Sequence, residues 1–226
     1  MTHDLSRYFK MLPKEHQARA FLTDRDKESW LRFWEQGAMK TAPTIAEFAY
    51  LVERGVVDTL LVVAPKGVHL NWSRIEIPKH MPDWLRERCM IVEWFAEKGA
   101  AGKKYRERLN QSLKYSGPLI VCLNYESSFS EAGGLYLAHL RKKRKMMMVL
   151  DEAHYVKGGR TKRRLRLEAA QRSCIVTRGL SGTPITNKPS DIYYVVKTVD
   201  EGFWASQGYG SFAAFKAEFV VEDYWG

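Results

Sequence analysis

Six short apolar runs, at residues 29–34, 59–64, 90–94, 119–123, 146–150 and 174–180, alternate along this chain with stretches of helical spacing. Runs such as Thr59-Leu60-Leu61-Val62-Val63-Ala64 and Met146-Met147-Met148-Val149-Leu150 are apolar at nearly every position. A strand built from them must be covered on both faces. Strand and helix in alternation, with strands of that kind, predict an α/β fold: a parallel sheet with helices on both faces. The spacing predicts helices over 103–115, 135–144 and 163–172, and a further one that opens at Asn187-Lys188-Pro189-Ser190 and runs to Val199. The stretch from Gly99 to Gly102 and the pair Gly158-Gly159 read as loops. Neither a repeat nor a low-complexity linker divides the chain, so a single domain over residues 1–226 is expected.

In 226 residues, 45% apolar with 12% aromatic, there is enough material for one sizeable core. The charge is less neutral. With 36 Lys and Arg against 26 Asp and Glu, the chain carries +10 at pH 7, which favours a polyanionic partner because basic surface releases the counterions condensed on nucleic acid. Cys89, Cys122 and Cys174 are scattered, with neither the pairing of a secreted scaffold nor the spacing of a zinc site, and read as buried free thiols. The charged start lacks the apolar core of a signal peptide, and no stretch reaches membrane-spanning length. An intracellular, soluble protein is expected, in cytoplasm, nucleoid or nucleus.

Chemistry concentrates where the runs end. Asp151-Glu152-Ala153-His154 leaves the run 146–150, and Ser181-Gly182-Thr183-Pro184 leaves the run 174–180. Paired acids at a strand exit are how phosphoryl-transfer enzymes hold Mg²⁺ and activate a water. Adjacent acids on a strand point to opposite faces, so the strand must stop here for both to reach one ligand. The alternative is a carboxylate pair that only caps the next helix. Upstream, Trp34-Glu35-Gln36-Gly37-Ala38-Met39-Lys40-Thr41 joins a strand-like run to a helix-like stretch that ends near Arg54. Loop and first-turn N–H groups can wrap phosphates there, with Lys40 on the β/γ oxygens and the Thr41 hydroxyl on Mg²⁺. Met39 stands where such loops carry glycine, at a place where backbone approaches phosphate closely.

The order of these strings, together with Val62-Val63-Ala64-Pro65-Lys66 ahead of Asn71-Trp72 and Val121-Cys122-Leu123-Asn124-Tyr125-Glu126-Ser127, resembles helicase superfamily two, and within it the Swi/Snf-like DNA translocases. The resemblance extends from about Leu12 to Tyr224 and implies the first of that family's two RecA-like lobes. It assigns Gln17, after Pro13 and His16, to reading adenine, and Gly37, Ala38, Met39, Lys40 and Thr41 to motif I. Ala64-Pro65-Lys66 is similar to motif Ia, Asn124-Tyr125-Glu126 to motif Ib, residues 151–154 to a DEAH-type motif II, and residues 181–184 to motif III. Phe212, Phe215 and Phe219 echo the aromatic tail of the family's first lobe.

What the resemblance implies is ATP and Mg²⁺ as cofactors, with Lys40, Asp151 and Glu152 catalytic. Asp151 and Thr41 would hold the ion, and Glu152 would orient and deprotonate the attacking water. His154 would couple the nucleotide side to Ser181 and Thr183. Lys66, Asn124, Tyr125 and Ser127 would grip phosphates of double-stranded DNA, which position without reading bases. The basic run Arg141 to Lys145 reads as a solvated helix end, and residues 160–166 as a candidate duplex contact. The family's second lobe, expected in the same or another chain, supplies a charge-stabilising arginine, and motion between lobes moves the DNA. The sequence stops before that lobe's motifs. The expected function is therefore the N-terminal ATP-binding motor lobe of a DNA translocase or helicase, slow in hydrolysis alone; the alternative is a degenerate, non-catalytic DNA-binding or adaptor module.

Overall fold

All six apolar runs are strands in the computed structural model, which describes residues 5–94, 99–128, 130–156, 162–185, 188 and 190–220. They are β1 (Ser29–Phe33), β2 (Thr59–Ala64), β3 (Met90–Glu93), β4 (Leu119–Asn124), β5 (Met146–Asp151) and β6 (Cys174–Ser181). They form one sheet in the order β1-β6-β5-β2-β4-β3, with every neighbouring pair parallel. Because all strands run the same way, their carboxyl ends, and the strings that leave them, line a single edge.

The two-residue period of the strands divides the core. On β2, Leu60, Val62 and Ala64 face one layer, and Leu61 and Val63 the other; β4 and β5 split in the same manner. The first layer holds helix Thr41–Glu53 together with Phe21 of helix Glu15–Asp24 and Trp72. Helices Glu131–Lys143, Lys162–Gln171 and Asp191–Val199 contribute to the second. With both layers in place no residue of β2 exceeds 0% exposure, as a strand that is apolar throughout requires.

The C-terminal aromatics form their own cluster. Phe215 lies 4.6 Å from Trp204 and 5.0 Å from Phe219 between ring centroids, and Phe212 5.2 Å from Tyr193. Packing of that kind holds the short helix Phe212–Phe219 against helix Asp191–Val199.

Several local expectations are corrected. Residues 99–102 are the first turn of helix Gly99–Lys114 and not a loop, because a helix nucleated downstream extends through Ala100 and Ala101 at little further cost. Helix Glu131–Lys143 starts earlier than its apolar spacing suggests, since the Ser130 hydroxyl caps it by accepting from the Gly133 N–H at 3.0 Å. Helix Asp191–Val199 starts after Ser190; Asn187 and Pro189 lie outside the described residues, as do Gly158 and Gly159. Helix Glu15–Asp24 and the short turns between Val68 and Arg86 have no counterpart in the apolar spacing. Among the described residues no helix is long and apolar enough to cross a membrane.

Candidate functional site

The loop between β1 and helix Thr41–Glu53 takes its shape from two left-handed residues, Gly37 at φ 80° and Met39 at φ 52°. A concave run of backbone N–H groups that leads into a helix N-terminus is suited to an anion. Lys40 turns its ammonium onto the Trp34 and Glu35 carbonyls at 3.1 and 3.2 Å, inside the loop. Thr41 is the first residue of the helix. Helix Glu15–Asp24 braces the loop from outside: His16 Nε2 lies 3.2 Å from the Ala38 carbonyl, and the Gln17 amide donates to the Met39 carbonyl at 3.1 Å. Gln17 is 3% exposed and also accepts from the Lys14 N–H at 2.8 Å, so its side chain is committed to the loop.

Below the loop lies a buried ionic cluster that the sequence did not announce. Arg32 of β1 donates to Asp24, to Glu47 and to the Thr44 hydroxyl, and Arg178 of β6 donates to the second oxygen of Glu47 at 2.8 Å. Thr44 in turn donates to the Lys40 carbonyl at 2.9 Å. Two guanidinium groups and two carboxylates, each at most 3% exposed, thus tie β1, β6 and two helices to the end of the phosphate-type loop.

At the exit of β5 the strand stops at Asp151, and Glu152 takes a left-handed conformation at φ 51°. The reversal swings Glu152 off the alternating path, which is what allows adjacent acids to meet on one edge. The Asp151 carboxylate is held on both oxygens, Oδ2 by the Trp72 indole N–H at 2.8 Å and Oδ1 by the Glu152 N–H at 3.0 Å. Burial lifts the Asp151 carboxyl above its ordinary pKa; Glu152 adds to the rise, while Trp72, the Glu152 N–H and the charge of Lys40 oppose it. Because β1, β6 and β5 are neighbours and parallel, the loop after β1 and the acid pair after β5 leave the same edge of the sheet.

His154 lies on the 3-10 turn Ala153–Val156, with Nδ1 3.0 Å from Ser181 Oγ and 3.3 Å from Glu152 Oε2. Ser181 Oγ also accepts the Thr183 N–H at 3.2 Å. Histidine, the two hydroxyl residues and the second acid therefore form one chain of contacts. Glu152, His154, Ser181 and Thr183 stand together.

On the β2 and β4 side the residues separate. Lys66 is exposed after β2, and Asn124 uses Oδ1 to cap the Ser127 N–H at 2.6 Å. Ser127 is 8% exposed. Tyr125 corrects its expectation: at 0% exposure, with its hydroxyl on the Asp151 carbonyl at 3.0 Å, it supports the acid strand and has no surface for a phosphate. The basic runs divide too. Arg141, Lys142 and Lys143 are exposed at a helix end, whereas Arg144 turns inward onto the Tyr115 and Gly117 carbonyls. Arg164 is 7% exposed and sits 4.5 Å over the Tyr194 ring, so it too faces inward; Arg160 lies outside the described residues.

The model of the SNF2-related domain matches residues 15–222. Helicase SWR1 of Mycosarcoma maydis is 30% identical over 188 residues, which is 80% of this chain and 9% of that protein. Chromatin-remodeling ATPase INO80 of Gibberella zeae is 29% identical over 163 residues, 70% of this chain and 8% of that protein. Among solved structures, the Sulfolobus solfataricus SWI2/SNF2 ATPase core in complex with dsDNA matches with a TM-score of 0.67 at 21% identity, covering 94% of this chain and 40% of that one. The helicase domain of Pyrococcus furiosus Hef matches with a TM-score of 0.59 at 17% identity, over 83% of this chain and 36% of that one. These support the RecA-like sheet, and the chain spans less than a tenth of the two curated relatives. With the family model matched from before the phosphate-type loop to past the aromatic cluster, the chain belongs to the SNF2-related domain family.

Proposed function

We propose that this chain is the N-terminal, nucleotide-binding lobe of an ATP-dependent motor on double-stranded DNA, active in hydrolysis once a second RecA-like lobe closes on it. The observation that carries this reading is the convergence on one sheet edge of Lys40, the Asp151–Glu152 pair and the His154–Ser181 contact, from segments up to 141 residues apart. The donor set suits a hard cation, since Thr41 and Asp151 offer oxygens and neutral N–H donors hold the carboxylate without competing for its charge. When bound, Mg²⁺ would neutralise charge on the transferring phosphoryl group.

The chain's own residues have separate tasks. Lys40 leaves the Trp34 and Glu35 carbonyls to meet the β/γ oxygens, and the first turn of helix Thr41–Glu53 presents its N–H groups to them. Asp151, with the Thr41 hydroxyl, would hold the cation. Glu152, beside that carboxylate and steadied by His154, takes the proton of the attacking water. His154 passes the state of Glu152 to Ser181 and on to Thr183. Gln17 grips the Met39 carbonyl, which leaves adenine recognition to a rearrangement of its amide. Exposed Lys66 faces the duplex backbone, while Asn124 shapes the turn after β4 by capping the N–H of the buried Ser127.

Nucleotide titration tests the reading: Lys40→Ala should abolish Mg²⁺–ATP binding, and unchanged binding would remove Lys40 from the site. The chain alone should turn over ATP slowly with or without duplex. Brisk duplex-stimulated turnover by the chain alone would contradict the need for a second lobe. Met39 favours a second reading, a non-catalytic DNA-binding or adaptor module, because its side chain stands at a left-handed position that glycine ordinarily fills. Failure of the wild-type chain to bind Mg²⁺–ATP, with duplex binding retained, would select that module.

A further inference from the structure

The nucleotide-side strings leave β1, β6 and β5, whereas Lys66 and Asn124 leave β2 and β4, so the border between the two halves of the edge lies between β5 and β2. Two side chains cross that border to one residue. Tyr125, just after β4, reaches the Asp151 carbonyl, and Trp72, after β2, reaches the carboxylate itself with its indole N–H 2.8 Å from Oδ2. Trp72 is 1% exposed and packed into the first core layer, so the direction of that N–H is fixed by burial of the whole ring.

Indole is a donor only, and neutral. An Arg or Lys in its place would hold the carboxylate but compete with a divalent cation for it. A neutral donor occupies one lone-pair direction of Oδ2 and leaves the negative charge available. With the Glu152 N–H on Oδ1, the plane of the carboxylate is set from both sides. Partners of that kind behind a metal-binding group orient it and raise its affinity.

The backbone that carries Trp72 is itself unusual. Trp72–Glu76 is a π-helical turn, an irregularity that concentrates at functional places. The turn is anchored on the exit of β3: Ser73 Oγ donates to Glu93 at 2.6 Å, and Arg74 donates to both Glu93 oxygens at 2.9 and 2.8 Å. On its other side the chain runs back through Gly67, at φ 89°, to Lys66.

We propose that Trp72 is a positioning residue for Asp151, whose indole N–H sets the orientation in which the carboxylate receives a magnesium–nucleotide. The proposal rests on the reading of Asp151 as the magnesium carboxylate. Trp72→Phe keeps the buried ring and deletes the donor. The measurement is the affinity of the 226-residue chain for a fluorescent ATP analogue with Mg²⁺ and with EDTA, for wild type, Trp72→Phe and Asp151→Asn. Trp72→Phe should lose about tenfold or more of the gain that Mg²⁺ confers, the scale of losing a partner behind a metal ligand. Its EDTA affinity should match wild type, which a merely structural defect would not spare. In the wild-type chain the Trp72 indole N–H resonance should shift on addition of Mg²⁺–nucleotide and stay in place with nucleotide and EDTA. An unchanged Mg²⁺ gain in folded Trp72→Phe overturns the proposal. If that variant does not fold, the wild-type resonance decides, and an unshifted signal overturns it equally. Should Asp151→Asn retain the Mg²⁺ gain, the assignment of Asp151 falls; should only Trp72→Phe retain it, the role of Trp72 alone falls.

Discussion

Met39 holds a conformation that costs an L-residue about 1–2 kcal/mol, and its side chain does not branch at Cβ, the feature that makes such a φ hardest to bear. Met39→Ile should therefore destabilise the fold by about 1–2 kcal/mol and weaken nucleotide binding. Met39→Gly should leave stability within about 0.5 kcal/mol of wild type, since relief of strain is offset by the looser unfolded chain. Thermal melts and nucleotide titrations of the pair check this, and equal behaviour of the two variants would remove strain from the account. Asp151 is also a costly residue. Because burial raises its folded pKa above the unfolded value, the native state holds the extra proton, and stability falls as pH climbs from the ordinary carboxylate range through that raised pKa. Asp151→Asn, measured without nucleotide or Mg²⁺, should melt higher than wild type at pH 7 and lose that part of the pH dependence. A lower melting temperature at pH 7 would show that the paired hydrogen bonds outweigh the burial.

Elements of the sheet were legible because a strand buried on both faces needs apolar residues throughout, and chance seldom produces six such runs. The acid pair was legible for a related reason: its chemistry requires a strand exit, and Leu150 marks one. The ionic cluster was not. Arg32 and Arg178 look like outward-facing polar residues of edge-type strands, and the Arg178 partner Glu47 lies 131 positions away on a helix. Nor could spacing find Trp72, since its partner Asp151 is 79 positions distant and the π-helical turn that carries it has no apolar signature. Tyr125 was misplaced because position after β4 gives an edge, not a direction for the ring. The cluster yields a prediction at this scale. Glu47→Ala leaves two buried guanidinium groups short of one carboxylate, and loss of one partner of a buried ion pair costs about 3–5 kcal/mol. Urea unfolding should show a loss of that size, with nucleotide affinity falling too because Thr44 links the cluster to the Lys40 carbonyl. A loss under about 1 kcal/mol would mean water reaches the cluster.

At the scale of the molecule, one parallel sheet sets the two proposed ligand surfaces side by side, the nucleotide residues leaving β1, β6 and β5 and the duplex residues leaving β2 and β4. Separate surfaces on one rigid sheet need not communicate, but here Trp72 and Tyr125 span them through Asp151. Coupling between two binding equilibria is reciprocal: whatever factor duplex applies to nucleotide affinity, nucleotide must apply to duplex affinity. Titrating each ligand with the other absent and saturating should therefore give the same factor twice. Lys66→Ala probes the duplex side alone. As a phosphate contact it should weaken binding equally for unrelated sequences and lower the slope of log affinity against log salt by about 1, while Mg²⁺–nucleotide affinity measured without DNA stays at the wild-type value. An unchanged salt slope would leave Lys66 a solvated lysine at the mouth of β2. A sequence-dependent loss would mean that this edge reads bases as well as holding the backbone.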